Sequence, residues 1–126
     1  MYDALWLYLA RSRSGKDAIS LLEMASKRLS LNAWPGPVVL LYLGKGKPEQ
    51  VLAAATDADP AKERDQHCKA YFYLAEHALL RGQQTKALDL FREAIATGQT
   101  TYIEYAAAQA ELGRLSNSTA IQPPRP

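Results

Sequence analysis

The sequence predicts an all-α fold of about seven helices, arranged as antiparallel pairs stacked into a short solenoid. Three observations carry this. Apolar residues recur at three- and four-residue spacing through most of the chain. Glycine and proline fall between those segments, where helices stop or start. Finally, the window 68–101 alternates large with small side chains at Tyr71, Leu74, Ala75, Gly82, Ala87, Phe91 and Ala94, which lets two antiparallel helices approach closely.

Tyr2 to Arg13 reads as a helix through Leu5, Trp6, Leu9 and Ala10, and Ser14-Gly15 breaks it. Lys16 to Leu31 follows as a second helix, with Ala18, Leu21, Leu22, Ala25 and Leu29 on one face. Asn32 to Pro37 is a rigid turn, because two prolines and a glycine cannot continue a helix. Val38 to Leu43 has the composition of a buried strand. A lone strand would leave its backbone groups unpaired, so it is assigned as a short helix started at Pro37 and ended by Gly44. Pro48 opens another short helix through Ala55.

Asp59-Pro60 is a strong start signal: the carboxylate caps free amides and proline sacrifices no bond at the first helical position. A long helix runs from there to Arg81 and stops at Gly82. Gln84 to Ala96 is its partner, with Ala87, Phe91, Ala94 and Ile95 facing inward, and Thr101 to Leu115 is a final helix bearing Tyr102, Ile103, Ala106, Ala107 and Ala110. Ser116 to Pro126 holds three prolines and almost no large apolar residue, the composition of a disordered tail. The organisation expected is a helical domain over 1–115, with a clear repeat at 68–101, a degenerate helix pair at 2–31 and a capping helix at 101–115, followed by the tail 116–126.

Composition narrows the function. A formal net charge of +2, with basic residues spread along the chain, implies no strong polyanion affinity, so a nucleic-acid or lipid-surface binder is disfavoured. The single cysteine, Cys68, can form no internal disulfide and reads as a small helix-packing residue. The apolar start 2–10 lacks a basic leader and is too short to span a bilayer, so the chain is expected to be soluble and without a targeting segment.

Motifs for chemistry are missing. Gly15-Lys16 lacks the glycine and the hydroxyl residue that a phosphate loop needs; Ala10 and Asp17 stand there instead. The lysines of Gly44-Lys45-Gly46-Lys47-Pro48 sit between a helix-ending glycine and a helix-starting proline, which explains them without a ligand. His67 and His77 do not share a helix face and neither has a second ligand at helical spacing, so no metal or other cofactor is expected. No Gly-x-Ser-x-Gly nucleophile turn occurs, and the carboxylates are scattered over several helices. The alternative function is an enzyme or regulatory domain with a carboxylate-lined pocket between helices. Tyr71, Tyr73, Tyr102 and Tyr105 add amphipathic surface of the kind found at interface hot spots, with Tyr71 expected between the paired helices.

The window 68–101 resembles the tetratricopeptide repeat, whose period is about 34 residues. Ala78 stands where a large aromatic is usual, and Gln99 replaces the closing proline. A wider resemblance rests on Ala4-Leu5-Trp6-Leu7-Tyr8-Leu9-Ala10, Trp34, Tyr42-Leu43-Gly44, Tyr71-Phe72-Tyr73-Leu74, Ala87-Leu88-Asp89-Leu90-Phe91, Ile103-Glu104-Tyr105 and Ala110-Glu111-Leu112. Their order is similar to the C-terminal half of the NlpI-like bacterial lipoproteins. The resemblance implies a right-handed solenoid and a place at the periplasmic face of the outer membrane, held there by a lipid anchor absent from this chain. It also implies a non-enzymatic adaptor or scaffold that brings a protease and peptidoglycan hydrolases together, with a tendency to form a homodimer. The lack of earlier repeats and of a lipid-acceptor cysteine suggests a fragment or shortened relative, and a cytoplasmic location stays open.

The first helix of each tetratricopeptide pair lines the concave surface, so the expected partner-binding groove falls on Lys69, Phe72, Glu76 and Leu79. Arrays normally need about three repeats. One clear repeat and one degenerate pair leave apolar faces for a second copy or a partner to cover.

Overall fold

Asp59-Pro60, the clearest helix start in the sequence, is also where the chain divides into two units, Met1–Ala58 and Asp59–Pro126. The sequence groups 1–115 as one helical domain; the structure separates it at this point. The computed structural model describes the backbone of residues 2–121 and the side chains of residues 2–116. Among these residues it holds seven helices and no strand, the all-α class the sequence predicts.

The first unit contains α1 (Tyr2–Arg13), α2 (Ala18–Ser26), α3 (Gly36–Tyr42) and α4 (Pro48–Ala54). Leu5 and Leu9 on α1, with Ala18 and Leu22 on α2, lie at four-residue spacing and are buried where the two helices pack. Asp17 caps α2 by accepting from the Ser20 N–H at 3.1 Å. α2 stops at Ser26, well short of the predicted Leu31, and Leu21, expected on its inner face, is 41% exposed. The early stop has a steric partner. A Cβ on Gly36 would run into the backbone of Leu31, so the chain at Leu31 lies against the start of α3 instead of winding on. The Trp34 indole N–H donates to the Tyr2 hydroxyl at 2.7 Å, tying this turn to α1. Tyr8 meets Tyr42 of α3 with ring centroids 5.0 Å apart. Val38, Val39 and Leu41, the strand-like run, are buried in α3.

The second unit contains α5 (Pro60–Leu80), α6 (Gln84–Ala96) and α7 (Ile103–Ile121). Asp59 Oδ1 accepts from the Ala61 N–H at 3.0 Å, as its place before Pro60 predicts. At the other end Gly82 sits at φ +75, while the Gln83 N–H reaches the Ala78 carbonyl at 2.9 Å and the Gly82 N–H reaches Leu79 at 3.0 Å. This pair of bonds closes the helix and reverses the chain, so α6 returns along α5. Phe72 and Phe91 meet across the pair at 6.2 Å, with Tyr73 edge-on to Phe72 at 5.1 Å. Small residues (Ala75, Ala78, Ala87 and Ala94) are buried around them and permit the close approach. The large packing positions are therefore Phe72 and Tyr73 rather than Tyr71, which is half-buried and tilted against His67 with ring centroids 6.0 Å apart.

α7 departs most from expectation. Its buried stripe is Glu104, Ala108, Glu111 and Leu115, whereas Ala106 and Ala110 are exposed and Ile103 is 65% exposed. The helix continues through Ile121 instead of ending at Leu115. Ser116 to Thr119 are weak helix formers, but none blocks a helix; the first proline comes only at Pro123. The remainder of the predicted tail, 122–126, lies outside the described residues. No helix among the described residues is long and apolar enough to cross a membrane.

Candidate functional site

The predicted groove divides between core and surface. Phe72 is fully buried and Glu76 is 1% exposed, so neither offers surface to a partner. Phe72 belongs to the ring contacts that join α5 to α6, and its substitution would attack the fold rather than an interface. Lys69 and Leu79, on the same helix, are half-buried. The reason is the width of the buried face: α5 buries a continuous run from Phe72 to Glu76, which a helix enclosed on one side only would not do.

Lys69 belongs to a different group of residues. Its ammonium lies over the Tyr102 ring, 4.8 Å from the centroid. The Tyr102 phenol donates to Asp65, one turn before Lys69 on α5, and this bond is the largest reason its pKa stands above the ordinary value; burial and the Asp65 charge add to it. Asp65 and Lys69 are four residues apart and face the same way on the helix. Tyr102 comes from the turn before α7, and Ile103, the next residue, is exposed. The result is a cation and a carboxylate on α5, an aromatic ring on the turn before α7 and an exposed aliphatic side chain at the start of α7. Sequence spacing could pair Asp65 with Lys69, but only folding brings Tyr102 to them.

Beneath this face, polar groups are committed to the structure. The Tyr73 hydroxyl donates to Glu104 Oε2 at 3.0 Å, a buried bond between α5 and α7. Arg114 grips Glu111 through both carboxylate oxygens, each at 3.2 Å. These two glutamates thus serve helix packing and local pairing. Cys68 is fully buried; burial raises its thiol pKa, a hydrogen bond with the Thr97 side chain opposes the shift, and the Glu104 charge adds to it. A buried, neutral thiol is inert, in keeping with a packing residue. No group of three His, Cys, Asp or Glu side chains among the described residues is placed to hold a metal ion.

No family model and no solved structure matches the chain. A curated protein does: the "Lipoprotein NlpI homolog" of Haemophilus influenzae is 32% identical over 119 residues, which make up 90% of this chain and 37% of that protein. The chain therefore spans little more than a third of the length of this relative. At nine-tenths of the chain, the alignment runs across both units. The chain is thus a homologue of the NlpI-like lipoproteins over nine-tenths of its own length.

Proposed function

We propose that the chain is a non-enzymatic protein-interaction module, an adaptor or scaffold of the bacterial cell envelope, and that its docking face is formed by Asp65, Lys69, Tyr102 and Ile103. The observation that carries this reading is the Lys69–Tyr102 contact beside Ile103, which is 65% exposed. Rigid aromatic and cationic groups lose little freedom on binding, and an exposed aliphatic next to them supplies the area a hot spot needs. The homology to an NlpI-like lipoprotein supports an envelope setting and a lipid anchor; the reading takes a periplasmic protease or a cell-wall hydrolase as partner and the outer membrane as the place of attachment. Stacking into a right-handed solenoid and pairing into a homodimer fit the same reading.

The test uses the chain as bait on an envelope extract, with Lys69→Glu and Ile103→Asp as parallel baits of verified helicity. Mass spectrometry should find a protease or hydrolase with the wild-type bait and not with the two variants. An identical captured set from all three baits removes this face. Failure to retain any protein at moderate salt removes the adaptor reading itself.

A further inference from the structure

We propose that α7 is a strap that unravels from the α5–α6 pair while that pair stays folded, baring Cys68 and taking apart the contact between Lys69 and Tyr102. The two partners of α5 are held in different ways. Across α5 and α6 the fully buried rings of Phe72 and Phe91 meet, with buried alanines around them. α7 packs against both helices, but its buried residues among those described are Glu104, Ala108, Glu111 and Leu115. Half of that stripe is carboxylate, which adds little hydrophobic stabilisation and must keep its hydrogen bonds when buried. Glu104 is satisfied from α5, by the 3.0 Å bond from the Tyr73 hydroxyl. The grip of Arg114 on Glu111 lies within α7, so it does not oppose detachment.

α7 is also a poor helix by itself. Gly113 stands in its interior, where an added Cβ would meet nothing within 4 Å, so no close approach requires a glycine there. The weak helix formers Ser116 to Thr119 follow it. A helix of this kind is marginal in water without its neighbours, so leaving the pair and unwinding are one event. The connection from α6 turns at Gly98, which has φ +73 and open space around it.

Lys69 and Tyr73, the α5 residues that meet Tyr102 and Glu104, are one turn apart and share a face. Cys68 borders that face, is fully buried, and lies close enough to Glu104 for the carboxylate charge to act on its thiol. Opening therefore exposes the single thiol of the chain. It also carries Tyr102 and Ile103 away from Lys69, so the docking face proposed above exists only in the closed state. That consequence rests on the docking reading; the opening itself does not.

The test follows two signals from the full chain in rising urea: iodoacetamide labelling of Cys68, read by mass spectrometry, and amide hydrogen exchange, read by NMR. The α7 amides and Cys68 should respond together with a shallow urea dependence, while the α6 amides are better protected and respond steeply. Gly113→Ala should slow Cys68 labelling by about fivefold, because it stabilises only the closed helix. Gly82→Ala strains the α5–α6 turn without touching another element. It should speed α6 exchange by about fivefold or more and leave Cys68 labelling within about twofold of wild type. A single protection and urea slope for α6, α7 and Cys68 overturns the proposal. So does labelling that ignores Gly113→Ala or that follows Gly82→Ala. No partner takes part in these measurements, so their failure is distinct from failure of the docking face in the capture experiment.

Discussion

The two units use the same local devices with different results. In Asp59–Pro126 the α5–α6 pair obeys its sequence signals to within a residue: an Asp-Pro start, a glycine stop, and a second helix at Gln84–Ala96 as its periodicity predicts. In Met1–Ala58 the helices are short, and α2 ends early at Ser26 although nothing in its own sequence stops it there. Caps and reversals act on neighbours in the chain, so they are legible. The stop of α2 goes with an approach between Leu31 and Gly36 that no periodicity encodes.

The largest test of the contrast is in the well-read unit. Phe91→Ala removes a fully buried ring that meets Phe72 across α5 and α6. The expected cost is about 3–5 kcal/mol, measured as a lower urea midpoint. A loss below about 1 kcal/mol would mean that the ring contact is not what joins the pair.

Two glycines separate local from tertiary demand. Gly82 has a positive φ but open space around it, so Gly82→Ala should cost about 1–2 kcal/mol from backbone strain alone. Gly36→Ala should cost about 1–3 kcal/mol through collision with Leu31, and should raise exchange of the α3 amides. If Gly36→Ala proves harmless, the close approach does not account for the early end of α2.

α7 shows the limit of pattern reading even in the well-read unit. Its buried stripe carries Glu104 and Glu111, so a search for apolar periodicity cannot find it, and Ile103 points outward. Each glutamate is tolerated because a partner satisfies it: Tyr73 for Glu104 and Arg114 for Glu111. Tyr73→Phe keeps the ring and deletes the donor, and is expected to cost about 1–2 kcal/mol because a buried carboxylate loses a hydrogen bond. The same blindness affected the groove. Lys69 could be chosen from helical phase, but Phe72 and Glu76 share that phase and lie inside, and Tyr102 reaches Lys69 only through the packing of α7 on α5.

The smallest effect concerns Asp17, the cap of the less legible unit. In the folded chain its pKa is lowered, first by the Ser20 backbone N–H and then by the Ser20 hydroxyl, so the native state favours the charged form. Its contribution is complete above the ordinary value of 3.8 and is lost as pH falls through the lowered folded value. Asn caps about as well as Asp but does not titrate. The urea midpoints of wild type and Asp17→Asn should therefore differ by a constant amount above about pH 5 and converge on further acidification. A gap that does not change with pH would show that Asp17 contributes geometry alone, and that the start of α2, like its end, is set from elsewhere in the unit.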